Sequence, residues 1–301
     1  MRTILVIGAS GFVGRHLAKA LLAEGYAIRC LARDPARLQD LTGCEIVQGD
    51  ISDLSSMQHA MESIQAVYIS IHTLSPQRTS GARPRFMDVE KNGLQNVVTA
   101  CRSRGVHRVV YVTSLGILPD AASEWLRERW HTEQLLLNSG LDATVIRPGN
   151  IVGVGGRGFD TVTRQSRQRI AVTLGGRRLR MRTIALDDLV YYLVGVLDDP
   201  RAYRQCYDVG NDDVLTVNQM IDIVAGILGR RPPVKIQIPH ALLAVLAPLI
   251  ERMAKLPRGA FRGLVDSLKT DAVGEPTPIR AILPRPLLSF RQAVAGALAI
   301  R

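Results

Sequence analysis

Residues 4–14 read Ile-Leu-Val-Ile-Gly-Ala-Ser-Gly-Phe-Val-Gly. The first four residues form a short apolar run, which is typical of a buried parallel strand. Residues 12–24 then have helical spacing, with Leu17 and Leu21 on one apolar face and Gly25 where the helix would end. This stretch therefore predicts a strand, a glycine turn and a helix in direct succession.

The glycine turn has the chemistry of an anion-binding site. Glycine lets the backbone approach a pyrophosphate closely, and the helix that follows offers free N–H groups and a partial positive charge. A structural glycine turn is the alternative, but the position between a strand and a helix favours a dinucleotide. We assign to this site the turn residues Gly8, Ser10, Gly11, Phe12, Val13 and Gly14.

A second apolar run at 27–32 ends where related folds distinguish NAD from NADP. An acidic residue there would bind the ribose 2′-hydroxyl of NAD. This sequence has Arg33 there and Arg37 one turn later, and cations suit the 2′-phosphate of NADP. Asp34 could pair with Arg37 or cap a helix. We therefore predict NADP(H) in preference to NAD(H).

A third run at 45–47 leads into Gly49-Asp50-Ile51. We assign Asp50 and Ile51 to the cofactor site, with the Asp50 carboxylate accepting from the adenine amino group; a turn or helix-cap aspartate is the alternative. Strand and helix patterns continue to alternate at 54–63, 66–71, 86–104, 109–113, 124–138 and 143–146. This alternation predicts an α/β fold with a Rossmann-type, doubly wound parallel sheet.

The pattern changes after residue 148. Residues 149–158 carry five glycines and are interpreted as a loop, and a helical pattern starts at 184. We predict a small C-terminal cap region beside the sheet. The predicted core is 1–155 with 184–200 contributing, and the predicted substrate or cap region is 156–183 and 201–301.

Composition excludes several classes of protein. The chain has 38 basic and 27 acidic residues, a net charge of +11, and only five of the basic residues are Lys. Such an Arg excess is typical of a GC-rich genome or of an anion-binding surface. Nucleic acid is not an expected partner, because aromatic residues are 5% of the chain and no nucleic-acid module is recognisable.

The four cysteines and the chain ends bear on location. Cys30, Cys44, Cys101 and Cys206 include no Cys-x-x-Cys pair, and no His cluster accompanies them. We therefore expect no metal site, and we expect the thiols to be reduced in the cytoplasm. The first residues read as a strand, without the features of a signal peptide. The longest apolar run, 241–250, is far shorter than the ~20 residues that span a bilayer.

Two further segments each allow two interpretations. Seven arginines between 164 and 182 predict a solvated basic face, or a site for an anionic substrate group. Residues 240–262 combine apolar side chains at near-helical spacing with arginines. Packing within the cap is one interpretation of this segment, and contact with a protein complex or a peripheral membrane position is the other.

Several motifs together resemble a known family. They are the turn at 8–14, Gly49-Asp50, Gly-Val-His-Arg-Val-Val-Tyr-Val-Thr-Ser at 105–114, Arg-Pro-Gly-Asn at 147–150 and Asp-Asp-Leu at 187–189. Over residues 1–230 the chain resembles the atypical or extended short-chain dehydrogenases/reductases, more narrowly the NmrA-like and complex I 39 kDa-subunit-like branch. The resemblance implies a small-molecule substrate over the nicotinamide, in a cleft between core and cap.

The resemblance also implies that Thr113, Arg129 and Pro148 contact the cofactor. Active members of the family use a Tyr-x-x-x-Lys pair on the helix after the fifth strand. Here Trp125 and Arg129 occupy those positions. An indole N–H is only a donor, so the usual proton relay is predicted to be absent. Arg129 could hold a ribose, or pair with Glu133 one turn later.

Few residues could move the proton instead. His72 follows the fourth strand, at the edge where such folds bind ligands, and histidine titrates near neutrality. Ser114 could orient a substrate carbonyl or serve as a buried cap. A surface position is the alternative for His72 and the expectation for His131.

Three functions fit these observations. The first is an NADP(H)-dependent oxidoreductase with an atypical site, acting on a small carbonyl or quinone-like substrate. The second is a non-catalytic NADP(H) binder: a redox sensor, assembly factor or structural subunit. A sugar-nucleotide epimerase or dehydratase is the third, and it usually needs the missing tyrosine.

Overall fold

The structure is a computed structural model that describes residues 2–71, 86–174, 179–254 and 256–299. The chain divides into two compact units, each built from three stretches. The first comprises Met1–Thr113, Glu128–Ile146 and Val190–Tyr207; the second comprises Ser114–Arg127, Arg147–Leu189 and Asp208–Arg301. The predicted domain division near residue 155 stays a prediction.

The described strands and helices alternate through most of the chain. The strands are β1 Thr3–Ile7, β2 Ala27–Ala32, β3 Cys44–Gln48, β4 Ala66–Ile69, β5 Arg108–Val112, β6 Asp142–Pro148, β7 Asn150–Val152, β8 Ile170–Leu174, β9 Met181–Ala185, β10 Gln205–Val209, β11 Val214–Leu215 and β12 Val234–Ile238. The α-helices are α1 Phe12–Ala23, α2 Leu54–Ala60, α3 Phe86–Arg104, α4 Glu124–Leu137, α5 Arg157–Ser166, α6 Leu186–Gly195, α7 Val217–Ile227, α8 His240–Met253, α9 Ala260–Ser267, α10 Thr277–Ile282 and α11 Phe290–Ala299. Pro35–Leu38 and Pro200–Ala202 form short 3-10 helices.

A seven-stranded sheet organises the first unit. Its spatial order is β10-β6-β5-β4-β1-β2-β3. The pairings β1 with β2, β1 with β4, β2 with β3, β4 with β5 and β5 with β6 are all parallel. The strand order reverses between β1 and β4, which is the point where doubly wound sheets bind nucleotides. The predicted Rossmann-type fold is therefore confirmed.

The central strands of this sheet are buried because the helices that connect them pack against the sheet. Leu5, Val67, Ile69, Val109 and Val145 belong to one buried apolar cluster, which also takes in side chains of α2 and α3. Continuous apolar runs of this kind are expected where both faces of a parallel sheet are covered. The parallel pairing of β1 with β4 places their carboxyl ends side by side.

The second unit contains two smaller sheets. One has the order β11-β9-β7, with β7 parallel and β11 antiparallel to β9. The other pairs β8 with β12 in parallel. A separate apolar cluster joins α5, α7 and α11 through buried side chains such as Phe159, Ile221 and Phe290. This unit therefore has a core of its own.

The loop predicted at 149–158 is wrong in two places. Asn150–Val152 is strand β7, which pairs with β9 more than thirty residues later, and α5 starts at Arg157. A Cβ at Gly149 would lie 2.5 Å from the Arg182 backbone oxygen, so this glycine permits close strand approach. The helix predicted from 184 starts at Leu186, because the residues before it belong to β9.

Two absences among the described residues concern membranes and metals. No helix among them is long and apolar enough to cross a membrane. Within the same residues, no group of three or more His, Cys, Asp and Glu side chains is arranged to hold a metal ion.

Candidate functional site

The turn between β1 and α1 admits only glycine at two positions. Gly8 has φ +94°, and a Cβ there would lie 2.2 Å from the Ser70 backbone oxygen at the end of β4. A Cβ at Gly14 would lie 2.4 Å from the Gly8 oxygen. The Gly11 N–H donates to that same oxygen at 2.9 Å. The turn is thus packed closely against the neighbouring strand, and glycine is required at both positions.

The N-terminus of α1 is suited to an anion. Its N-cap is Gly11, which makes no side-chain cap, and the first turn contains no acidic residue. Phe12 and Val13 begin the helix, so their backbone N–H groups have no acceptor within the helix. Because a 12-residue helix also contributes its dipole, this end fits the pyrophosphate of a dinucleotide.

The end of β2 presents two free cations. Arg33 and Arg37 are exposed, and within the described residues neither guanidinium makes an ion pair or a hydrogen bond. Asp34 does not pair with Arg37, since its carboxylate caps the 3-10 helix by accepting from the Ala36 N–H at 3.3 Å. The capping alternative for Asp34 therefore describes the structure, and both arginines stay available to a phosphate.

Arg15 makes contacts that the sequence pattern did not predict. Its guanidinium donates to the Arg37 backbone oxygen at 2.6 Å and pairs with Asp40, lowering the pKa of that carboxyl. It therefore ties the first helix to the segment that carries Arg37. The signal was an arginine directly after Gly14, on the first turn of the helix.

Asp50 is partly engaged by its own turn. Its Oδ1 accepts from the Ser52 N–H at 2.9 Å and the Ser52 hydroxyl at 2.7 Å, so the turn alternative holds for this oxygen. The other oxygen, Oδ2, has no hydrogen bond to a described residue. Ile51 is buried against α3, and its backbone oxygen accepts from Asn96 at 3.0 Å. Adenine binding by Asp50 and Ile51 stays a prediction.

A buried polar cluster lies beneath the carboxyl end of β5. Arg129 of α4 and Glu90 of α3 form an ion pair at 3.0 Å, with side chains 4% and 0% exposed. The Tyr111 hydroxyl donates to the same Glu90 oxygen, and the Thr113 hydroxyl donates to Glu133 at 2.6 Å. Burial and the negative charge of Glu90 raise the pKa of Tyr111. The cluster holds β5 to two helices through charge-assisted hydrogen bonds.

This cluster bears on the residues that replace the family's proton relay. Burial would lower the pKa of Arg129, but Glu90, Tyr111 and Glu133 together outweigh that effect and raise it, so Arg129 stays charged. Trp125 is buried one turn earlier on α4. Neither side chain exchanges a proton near neutral pH. Glu90, 39 residues upstream, is a partner the sequence did not suggest, and ribose binding by Arg129 stays a prediction.

The remaining predicted residues are placed as follows. His72 lies outside the described residues. Ser114 is half-buried directly after β5, and its hydroxyl makes no hydrogen bond to a described residue. Pro148 is buried at the end of β6, where its backbone oxygen accepts from the Leu115 N–H at 3.0 Å. The catalytic roles of His72 and Ser114, and the cofactor contacts of Thr113 and Pro148, stay predictions.

A family model described as NAD(P)H-binding matches residues 8–200. The match spans more than half of the chain, so the protein belongs to this NAD(P)H-binding family. The predicted membership of an NAD(P)H-binding family is thereby confirmed. The matched range contains the glycine turn, both arginines after β2 and the buried cluster.

Individual proteins show what the chain is similar to. It is 31% identical over 175 residues to sterol demethylase protein B of Methylococcus capsulatus, covering 50% of this chain and 52% of that one. The chain thus spans about half the length of that relative. It is 26% identical over 296 residues to the (4-alkanoyl-5-oxo-2,5-dihydrofuran-3-yl)methyl phosphate reductase of Streptomyces griseus, covering 96% of this chain and 95% of that one.

A solved structure supports the fold. The NADPH-dependent quinone oxidoreductase of Escherichia coli, complexed with NADPH, matches with a TM-score of 0.75 at 17% identity. The match covers 98% of this chain and 99% of that chain. At this level of identity the similarity shows a shared Rossmann-type fold.

Proposed function

We propose that the protein is an NADPH-dependent oxidoreductase that reduces a small carbonyl or quinone-like substrate. The observation that carries the cofactor preference is the exposed pair of guanidinium groups of Arg33 and Arg37 at the end of β2, which have no ion-pair partner among the described residues. The reductase activity is supported by the activities of two similar proteins, the (4-alkanoyl-5-oxo-2,5-dihydrofuran-3-yl)methyl phosphate reductase and the NADPH-dependent quinone oxidoreductase.

Each part of the cofactor has residues that fit it. The turn from Gly8 to Gly14 and the start of α1 would hold the pyrophosphate, and Arg33 with Arg37 would hold the 2′-phosphate. The free Oδ2 of Asp50 would accept from the adenine. NADPH supplies the hydride when bound, and the chain supplies binding and orientation.

The proton step would not use the family's usual pair. Trp125 and Arg129 cannot titrate near neutral pH, and Arg129 is already paired with Glu90. The half-buried Ser114 hydroxyl would orient the substrate carbonyl, and His72 is the titratable candidate from the sequence. The proton could also come from solvent, as a quinone substrate readily allows.

The cofactor preference is tested by Arg33→Asp. Losing a charge-assisted bond and adding a like charge should weaken NADPH by roughly 10–100-fold relative to NADH. Titrations of both cofactors by intrinsic fluorescence measure the ratio, and Arg169→Asp is the control because Arg169 is exposed in the second unit. An unchanged ratio of the two affinities would remove the assigned role of Arg33.

The activity is tested by hydride tracing. Protein that binds NADPH is incubated with NADPH deuterated at the transferable position and a metabolite extract, and mass spectrometry searches for deuterated products. A labelled product establishes the oxidoreductase and shows its substrate class. Absence of label, together with normal NADPH binding, favours the second candidate function.

That second candidate is a non-catalytic NADPH binder, such as a redox sensor, assembly factor or structural subunit. The burial of Trp125 and the ion pair of Arg129 with Glu90 favour this second candidate. Both give structural roles to the side chains at the positions of the family's proton relay. An epimerase or dehydratase has less support, since its chemistry usually needs the tyrosine that Trp125 replaces.

A further inference from the structure

Helix α8 exposes a continuous apolar stripe. Leu242, Val245, Leu249 and Met253 follow one another at spacings of three or four residues, with Leu246 next to Val245, and all five are exposed, Val245 and Met253 by 76%. They account for five of the twelve large apolar side chains that are exposed among the described residues. A soluble helix normally turns such a stripe inward, so this concentration indicates a contact surface.

The other side of α8 fixes which face points outward. Leu243, Ala247 and Glu251 are buried along it. The Glu251 carboxylate accepts from the backbone N–H groups of Gly259 and Phe261 at 2.9 Å and of Arg262 at 3.2 Å. Rolling the helix to hide its apolar stripe would break these three hydrogen bonds. The exposed stripe is therefore a stable feature of the second unit.

The charges around the stripe are one-sided. The only acids between residues 239 and 269 are Glu251 and Asp266. Asp266 is engaged by His240 Nε2 at 3.1 Å and Lys269 Nζ at 2.9 Å, and Glu251 is engaged by backbone. Arg252 and Arg258 are exposed, and within the described residues neither makes an ion pair. The segment that carries the stripe is thus net cationic.

We propose that α8 docks on an anionic lipid membrane, lying in the plane of the interface with its apolar stripe in the acyl region. An exposed apolar stripe beside unpaired arginines matches the chemistry of helices that bind membrane surfaces. Arginines near the stripe add attraction to anionic headgroups. A second copy of this chain fits less well, because both chains would carry a net charge of +11 and repel each other.

The test uses the full chain and lipid vesicles. Vesicles of phosphatidylcholine alone are compared with vesicles that contain about a third phosphatidylglycerol, and bound protein is measured by sedimentation. The expected result is binding to the anionic vesicles that weakens with salt, with much weaker binding to the neutral ones. Equal binding to both, or binding to neither, overturns the proposal.

Two variants separate the apolar and ionic contributions. Val245→Asp with Met253→Asp should weaken vesicle binding by more than about tenfold, since each side chain loses its transfer into lipid. Leu118→Asp, at another exposed apolar position, is the matched control and should bind as the wild type does. Arg252→Gln with Arg258→Gln should cost roughly thirtyfold on anionic vesicles and leave neutral vesicles unaffected.

Protein contact is the competing outcome. Light scattering over a range of concentrations shows whether the chain self-associates through α8. Self-association that Val245→Asp with Met253→Asp abolishes, together with no vesicle binding, assigns the stripe to a second copy and overturns the membrane proposal. NADPH titration of the same variants should be unchanged, so this test is independent of the proposed cofactor function.

Discussion

Glu90 in the first unit and Glu251 in the second are both buried carboxylates, but their charges are satisfied differently. Glu90 is wholly buried and pairs with the guanidinium of Arg129 inside the core. Glu251 is 7% exposed and accepts from three backbone N–H groups that follow α8. The first carboxylate thus joins two helices distant in sequence, and the second shapes a local turn.

The two units also treat apolar strands differently. In the first, β4 is buried along its whole length by the helices of the doubly wound fold. In the second, the parallel pair β8–β12 leaves Ile170, Val172, Val234 and Ile236 exposed on one face. Parallel strands are normally covered on both faces. The difference teaches that helices cover the parallel strands of the first unit, whereas the β8–β12 pair of the second unit keeps apolar side chains exposed.

The largest expected effect comes from breaking the buried ion pair. Arg129→Met should lower the free energy of unfolding by about 3–5 kcal/mol, because Glu90 would be left buried and charged. Urea unfolding measures it, with the exposed Arg164→Met as control. Adding Glu90→Leu should recover most of the loss. If Arg129→Met is as stable as the control, Glu90 and Arg129 do not act as a buried pair.

The next effect concerns glycines in the two units. Gly14→Ala should destabilise the protein by about 1–3 kcal/mol and prevent NADPH binding, because the new Cβ would overlap the Gly8 oxygen. Gly226→Ala lies in α7 with nothing within 4 Å, so it should stabilise by about 0.5–1 kcal/mol. Thermal unfolding and NADPH titration compare the two. Equal NADPH affinity in both variants would contradict the compressed turn.

A smaller and local effect is expected at the second carboxylate. Glu251→Ala should cost about 1–2 kcal/mol, because three N–H groups lose an acceptor but stay near solvent. Hydrogen exchange of the Gly259, Phe261 and Arg262 amides should quicken while the β4 amides keep their protection. Uniformly faster exchange across both units would show that Glu251 supports the whole fold.

The smallest effect per side chain is a pH dependence that arises in the first unit. All four cysteines and all seven tyrosines lie in the first unit. Burial raises the pKa of the Cys101 thiol to about 12 and also raises that of Cys30. Each thiol is neutral when folded and ionises when unfolded, so stability is intact below the unfolded pKa and falls above it. The loss should be about 1.4 kcal/mol per thiol one pH unit above that value.

This pH dependence is measured by urea unfolding between pH 8 and pH 10. Cys30→Ala with Cys101→Ala should flatten the decline. The more exposed Cys44 gives the matched control, Cys44→Ala, which should change the slope less. An undiminished decline in the double variant would contradict the role of these two thiols and point to tyrosines such as Tyr68, whose pKa burial also raises.

Local pattern predicted much of the first unit. The bounds of β2 and α3 were predicted as the structure has them, and α1 differs by one residue. The patterns were readable because buried parallel strands are continuous apolar runs and helices between them repeat every three to four residues. Strand β7 and helix α5 were missed, since β7 exists only through pairing with β9 and the glycines around it mimic a loop.

The side-chain partners were harder to predict than the elements. The sequence offered Glu133 as the partner of Arg129, because it is one turn away on the same helix. Glu90 is its partner as well, from a helix that reaches the same place only after the sheet has formed. Likewise, the spacing of α8 favoured packing within the cap, and the buried Glu251 shows that the opposite face turns inward.

By itself the sequence determined the glycine turn, the strand–helix alternation and the cations after β2, since each depends on residues close in the chain. The tertiary structure alone decided that Glu90 neutralises Arg129, that Asp34 leaves Arg37 free, and that α8 faces outward. Those outcomes depend on which distant elements pack together. Burying a charge costs free energy unless the charge has a partner, and exposing an apolar side chain to water costs free energy unless another surface covers it.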